Sequence, residues 1–447
     1  MISYAVPWDY LIFFTIFFRN GGDTMYIKNT LYVGVDVSLK SLTTCILDTL
    51  GSIIFKPANF SNDPSGVDSL FAKILELAQK HDVEDIFIGA EATSVYDCHL
   101  LYAIADNPKL NHYNLSSYCF TPKLINNFKK SIGDLPKNDK SDSFVIAQKL
   151  KSGHLPNECY INFKQLALQR LTRFRKHTMD SITREKGYLT SLLFLKFSTM
   201  AQQNLLCDEF GATGETLLTE FCSVDEICNK PIEELIDIIA KASKNRFEEV
   251  YTVATKIQEA AKSSFKLPCD MNDSITFVMK NSFEIIASLE KSIKHTDKSI
   301  ATLLEKNFKN ESTILQSIDG IGPVISAGII AEIGSIKRFD DDSSLAKFAG
   351  LVWSQYQSGE FEAEDTHLKK SGNQYLRYYF CLAASTAKMH NKRFSEYYSR
   401  KYSEASSHKH KRALVLTARK VVKLVFALLR DNTLYTSAMK GGLPIED

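Results

Sequence analysis

The sequence lacks the cysteine spacing of a metal or disulfide framework. Its nine cysteines are scattered, the nearest two are Cys222 and Cys228, and no C-x-x-C occurs. A zinc site or disulfide-built scaffold is therefore not expected, and reduced thiols in a cytoplasmic setting fit the pattern. No apolar run reaches the ~20 residues that a membrane-spanning helix needs. The most apolar stretch, Tyr10 to Phe18 (YLIFFTIFF), has no basic region before it and no small-residue cleavage site after it, so it does not read as a signal peptide. With 20 Gly and 11 Pro in 447 residues, collagen-like and low-complexity readings are also excluded. An excess of one charge is missing too, since 54 Lys+Arg face 52 Asp+Glu for a net +2. That balance hides an asymmetry. Residues 366–430 hold 15 Lys/Arg and two acids, Glu396 and Glu404, a local +13 that leaves −11 for the rest. One end of the chain suits a polyanion.

What is present is globular: 44% hydrophobic, 24% charged and 11% aromatic residues, on a length that predicts two to four domains. Gly21-Gly22-Asp23 precedes Met25, and their codons resemble a purine-rich ribosome-binding site. Met25 is accordingly expected as the natural start, with 1–24 a mis-called start or an unstructured segment.

From Leu31 to Ser38 the chain is apolar at nearly every position and rich in β-branched residues, which predicts a buried strand. Strands are also expected at Thr43 to Asp48, Ser52 to Phe60, Asp85 to Ala90 and His112 to Cys119. Helices are expected over Gly66 to Lys80 and from about Val95, Pro122 and Asp139. A three-strand meander followed by alternating helix and strand is the order of the ribonuclease-H-like fold.

Acids stand at telling places in this order. Asp36 interrupts an apolar strand, where an unpartnered charge is costly. Glu91 ends a later strand, and Asp139 and Asp142 share a helix face by their spacing. Taken singly, Glu91 also reads as a strand-end surface acid, and the Asp139/Asp142 pair as a helix cap and a solvated first-turn acid. Taken together, four carboxylates at one sheet end predict a site for two Mg²⁺ ions, with Mn²⁺ an alternative, able to clamp a phosphodiester.

The segments V-G-V-D-V-S (33–38), G-A-E-A-T-S-V-Y (89–96) and K-N-D-K-S-D-S (137–143) resemble the DEDD transposases of bacterial insertion sequences, the IS-one-ten family. That family's N-terminal domain is similar to the Holliday-junction resolvase RuvC. It typically reads E-A-T-G-x-Y and K-T-D-x-x-D-A at the second and third places. Ser94, Asn138 and Ser143 here stand for its Gly, Thr and Ala. The resemblance implies that Asp36, Glu91, Asp139 and Asp142 are the metal-binding catalytic tetrad.

Beyond residue 159 the pattern turns helical. Leu168, Leu171, Ile182, Leu189 and Leu192 recur among Arg170, Arg173, Arg175, Lys176, Arg184 and Lys186, a basic helix by sequence. Ile286, Leu289, Ile293, Thr296, Ile300 and Leu303 follow the 3-4 alternation of a coiled-coil seam, filled either within one chain or by a second copy. Residues 200–270 are mixed and acidic and carry no legible motif.

Leu315 to Ile333 reads as helix, tight turn and helix. Gly320-Ile321-Gly322 is a turn through which backbone N–H groups can approach a phosphate, as in a helix–hairpin–helix. The segments L-A-K-F-A-G-L-V-W-S-Q-Y-Q-S-G-E-F (345–361) and H-L-K-K-S-G-N-Q-Y-L-R (367–377) resemble the domain that closes the same transposase family. There an A-G-L segment leads to Ser-Gly and then K-x-G-N-x-x-L-R. The resemblance implies that Ser358 is the nucleophile that joins a DNA phosphate. Ser354 is a rival serine, and Glu360 stands where family members often have a second Gly. Lys369, Lys370 and Arg377 are expected to bind phosphate. Lys388, Lys392, Arg393, Arg400 and Lys401 extend that basic surface among Tyr378, Tyr379, Phe394, Tyr397 and Tyr398, aromatics that either stack on bases or face the core.

The expected fold class is thus α/β plus α. A ribonuclease-H-like catalytic domain covers 25–158, a helical coiled-coil arm with its linker 159–310, and a mainly helical transposase domain with the helix–hairpin–helix 311–447. The implied activity is metal-dependent DNA strand exchange for an insertion sequence. The resemblance also implies an RNA that bridges donor and target DNA, and a homo-oligomer joining one subunit's tetrad to another's serine. Two other readings stand beside it: a structure-selective nuclease using the tetrad without the serine, and a non-catalytic nucleic-acid-binding protein.

Overall fold

A computed structural model of the chain describes residues 29–92, 95–133, 135–136, 138–156, 158–159, 162–353, 357–358, 361–362, 368–369 and 371–436. The expectations for residues 1–24, Ser354 and Lys370 lie outside these. The chain divides into two compact units, up to Ile161 and from Asn162 onward.

The first unit is built on five strands: β1 (Thr30–Val37), β2 (Ser41–Leu47), β3 (Ile53–Ser61), β4 (Asp85–Glu91) and β5 (Asn114–Phe120). Helix α1 (Pro64–Lys80) lies between β3 and β4, α2 (Cys98–Ala105) between β4 and β5, and α3 (Pro122–Ile132) and α4 (Asp139–Lys151) follow β5. The sheet order is β3-β2-β1-β4-β5. β2 runs antiparallel to both of its neighbours, while β4 is parallel to both β1 and β5. This mixed five-stranded sheet is consistent with the expected ribonuclease-H-like class.

Strand alternation sorts β1 between two faces. Leu31, Val33, Val35 and Val37 join Leu70 and Ile74 of α1 and Leu100, Leu101 and Ile104 of α2 in one core. The opposite face meets α4, whose Val145, Ile146 and Leu150 pack with Tyr118, Phe120 and Ile125.

The second unit is almost all helix. α5 (Phe163–Lys196) and α11 (Cys269–Asn307) run antiparallel, because Arg175 pairs with Asp297, Glu185 accepts a hydrogen bond from Ser282, and Lys196 donates to Thr276. The apolar seam of α11 is thus covered within the chain. Buried Ile286, Ile293, Thr296 and Ile300 continue to Leu304, with Leu303 only partly covered. Between these long helices stand five short ones: α6 (Ser198–Gln203), α7 (Ala212–Thr219), α8 (Val224–Asn229), α9 (Ile232–Ser243) and α10 (Val250–Lys262). Their Leu217, Leu218, Leu235, Ile239 and Ile257 close a core on Leu189 and Leu193 of α5 and Met279 and Phe283 of α11.

The other end of the pair enters the C-terminal core. There α12 (Lys309–Gln316), α13 (Pro323–Ile333), α14 (Asp342–Ala349), α15 (Gln374–His390), α16 (Lys392–Glu404) and α17 (Lys409–Asp431) gather around Tyr379, Phe380, Val421 and Val425. Four two-residue strands, β6 (Val352–Trp353), β7 (Gln357–Ser358), β8 (Phe361–Glu362) and β9 (Leu368–Lys369), pair as β6 with β9 and β7 with β8. Among the described residues no helix is long and apolar enough to cross a membrane.

Candidate active site

The same short pattern places the first two acids. β1 carries Gly34-Val35-Asp36 and β4 carries Gly89-Ala90-Glu91, each a glycine two residues before a carboxylate and so on the same face as it. β1 and β4 pair in parallel with Gly34 opposite Gly89 and Val35 opposite Ala90. Asp36 and Glu91 are the next residues of each strand, so they end up abreast.

The glycines make room for the helix that brings the other two acids. A Cβ on Gly34 would stand 2.2 Å from the Ser143 carbonyl oxygen and 2.4 Å from the Ala147 nitrogen. At Gly89 it would meet the Phe120 ring at 2.7 Å and Leu150 at 3.1 Å. α4 therefore lies on the backbone of β1, and its first turn, holding Asp139 and Asp142, reaches the strand end where Asp36 stands. Asn138 caps that turn by accepting from the Ser141 N–H, and two acids in a first turn suit the helix dipole.

The electrostatics register this convergence. The Asp36 carboxyl is pushed up to about 6, first by burial and then by Asp139, Asp142 and Glu91. Glu91 is raised by burial and by Asp142, with Lys129 acting the other way. Lys129, on α3, donates to Asp142 Oδ1 at 2.6 Å and to Ser141 Oγ at 3.3 Å. A cavity of about 430 Å³ opens beside these groups, lined by Glu91, Asp142, Asn126, Lys129 and Lys130 among others.

Among the described residues no three Asp, Glu, His or Cys side chains are disposed to hold a metal ion as they stand. The donor set nevertheless fits one. All four groups are carboxylates, the hard oxygen ligands that Mg²⁺ and Mn²⁺ take, and the repulsion on Asp36 is relieved by a cation among them.

In the second unit, Gly320 and Gly322 have different surroundings. Gly320 has φ +93°, and a Cβ there would lie 2.8 Å from the Thr386 carbonyl, so the turn needs glycine for close packing on α15. Gly322 has open space where its Cβ would be and stands at the N-cap of α13. Lys369 is exposed on β9. Arg377 donates to the Ala349 carbonyl at the end of α14. Ser358 is described as a backbone position of β7, opposite Phe361 of β8. Of the aromatics, Tyr379, Phe394 and Tyr397 are buried, which answers the stacking alternative for those three.

Two groupings escaped sequence reasoning. Lys129 is one, since nothing in sequence ties it to Asp142. The fully buried Glu332 side chain takes Arg173 on both oxygens at 2.8 and 2.9 Å, and accepts from Asn373 Nδ2 at 2.6 Å and Gln169 at 3.2 Å. Its only sequence signal was a charged residue inside the apolar run Val324 to Ile333.

Residues 33–197 match a family model described as Transposase, of the DEDD IS110 type. Residues 312–399 match the model of the Transposase IS116/IS110/IS902 family. A protein of insertion element IS116 from Streptomyces clavuligerus is 30% identical over 195 residues, 44% of this chain and 47% of that protein. One of insertion element IS110 from Streptomyces coelicolor is 30% identical over 134 residues, 30% of this chain and 32% of that protein. One of insertion element IS900 from Mycobacterium paratuberculosis is 25% identical over 204 residues, 45% and 49% of the two chains. The chain thus spans half or less of the curated relatives it matches. With one family's models matching an N-terminal and a C-terminal segment in that order, the chain belongs to the IS110-type family of insertion-element transposases.

Proposed function

We propose that the protein cuts and exchanges DNA strands for its insertion sequence, with Asp36, Glu91, Asp139 and Asp142 as ligands of two Mg²⁺ ions and Ser358 as nucleophile. The observation that carries this reading is the mutual electrostatic effect of the four carboxylates at one end of the sheet, inside the segment matched by the DEDD-type transposase model. Bound divalent cations supply Lewis-acid activation of a phosphodiester and neutralise the charge that gathers on it.

The chain's own residues do the rest. The carboxylates fix where the cations sit, and the sheet and α4 keep those oxygens from moving apart. Ser358 Oγ forms a bond to phosphorus as one P–O ester bond breaks, releasing a sugar hydroxyl. A second sugar hydroxyl reverses the step on a different strand, so the phosphodiester is exchanged rather than hydrolysed. Lys369, Lys370 and Arg377 hold the phosphates next to the serine, and the open N-terminus of α13 after Gly322 supports a helix–hairpin–helix contact to the backbone.

Several parts of the reading rest on the family. In it, residues 25–158 form the catalytic domain, 159–310 the arm and 311–447 the transposase domain. The antiparallel α5–α11 pair serves as a coiled-coil spacer. An element-encoded RNA selects donor and target DNA by base pairing, and a homo-oligomer joins one subunit's tetrad to another's Ser358. The +13 surface of residues 366–430 supports contact with nucleic acid.

The test is a strand-exchange assay in cells, using the gene with its native flanking DNA and a target plasmid. Wild type is expected to give recombinant junctions, and Asp36→Ala and Ser358→Ala none. Junctions from Ser358→Ala at the wild-type level would remove the serine and leave a nuclease.

A further inference from the structure

The acidic cluster has a cation already built into the protein. Lys129 stands in the last turn of α3, a helix with three lysines (Lys123, Lys129 and Lys130) and no acid, and it lines the same cavity as Glu91 and Asp142. Its ammonium is 2.6 Å from Asp142 Oδ1, the side chain is only 13% exposed, and its field favours the charged form of Glu91. Four carboxylates against this one ammonium leave a negative excess, and Asp36 is raised by burial and by the other three acids.

We infer that Lys129 is an exchangeable counter-ion: it occupies the acidic cluster until divalent cations enter, and then turns into the cavity to hold the phosphodiester. This inference rests on the tetrad being the metal site. Two divalent cations and Lys129 together exceed the charge of four carboxylates, so ion entry weakens the hold on the ammonium. The phosphodiester then brings the negative charge that Lys129 needs, and Asn126 and Lys130 lining the same cavity supply further donors. A lysine suits this role because its ammonium is a compact charge on a flexible stem. One residue thereby couples metal entry to DNA seating, because both favour the same released state of its side chain.

The experiment titrates Mn²⁺ into the full chain and follows free Mn²⁺ by electron paramagnetic resonance. Removing an exposed-to-partly-buried ion pair changes affinity by a modest factor, so Lys129→Gln is expected to bind Mn²⁺ roughly five-fold tighter than wild type. The same variant is expected to bind duplex DNA more weakly in Ca²⁺, with a shallower salt dependence, while Lys129→Arg stays near wild type in both. Unchanged or weaker Mn²⁺ binding by Lys129→Gln, with binding still lost in Asp36→Asn, overturns the inference and leaves the tetrad standing. Mn²⁺ binding that survives Asp36→Asn removes the tetrad reading and this inference with it. Lys129→Met, which keeps most of the aliphatic stem, replaces Lys129→Gln should that variant fail to fold.

Discussion

Asp36 is held where burial and three neighbouring carboxylates disfavour its charge, so its folded pKa rises from 3.8 to about 6. The folded protein therefore binds this proton more tightly than the unfolded chain does. Its contribution to stability is largest below about pH 4 and is lost as pH rises through 6. Asp36→Asn removes that penalty. Metal-free protein carrying it is expected to gain about 2 kcal/mol near pH 7.5 and almost nothing near pH 4, read from urea transitions in the presence of a chelator. An equal gain at both pH values would mean that the carboxylate is not strained in the folded state. A stability gain paired with loss of strand exchange is the signature of a residue kept for chemistry.

The elements were legible in the sequence to different depths. All five strands of the first unit follow the expected segments, because β-branched alternation and turns are local signals. The acids of the cluster were found because each interrupts an apolar pattern or joins a motif. The helices of residues 198–262 were not, since they run only 6 to 13 residues, too short to be stable without the core they share with α5 and α11. The basic face read along α5 also changes meaning in three dimensions. Arg173 pairs with Glu332 of α13 and Arg175 with Asp297 of α11, tying helices together, while Lys176 pairs within α5 with Asp180 and Lys186 with Asp208 of a loop. The Glu332 network is the most consequential, because Asn373 also caps α15 through the Tyr375 and Leu376 N–H groups. Glu332→Gln leaves the Arg173 guanidinium without its counter-charge. It is expected to cost about 3 kcal/mol in the urea transition followed by circular dichroism, whereas Arg173→Met with Glu332→Leu recovers most of that. Full loss in the double variant would assign the effect to packing rather than to the ion pair.

For the whole molecule, the tetrad belongs to the first unit and Ser358 to the second. If an oligomer shares these parts between subunits, Asp36→Ala and Ser358→Ala each leave the other part intact. Co-expressing the two inactive variants is then expected to restore junctions in the strand-exchange assay, at a level below wild type. Continued absence of junctions, with both proteins present in one oligomer, would place tetrad and serine in the same subunit. The charge asymmetry acts at the same scale. An excess of +13 over residues 366–430 beside −11 elsewhere favours nucleic acid on the C-terminal helices and predicts binding that weakens steeply with salt.

The paired Gly-x-acid segments also bear on how this gene can change. Because strand faces alternate with a period of two, deleting one residue between Leu31 and Val35 would swing Asp36 to the opposite face and set a side chain where Gly34 admits α4. The same holds for Glu91 and β4. Point substitutions along these strands leave the alternation of faces in place, but length changes do not. The hairpin of β2 and β3 carries neither acid and tolerates a register shift already, between Thr44 and Leu47. Insertions and deletions among descendants of this element should therefore collect in the β2–β3 hairpin and spare β1 and β4.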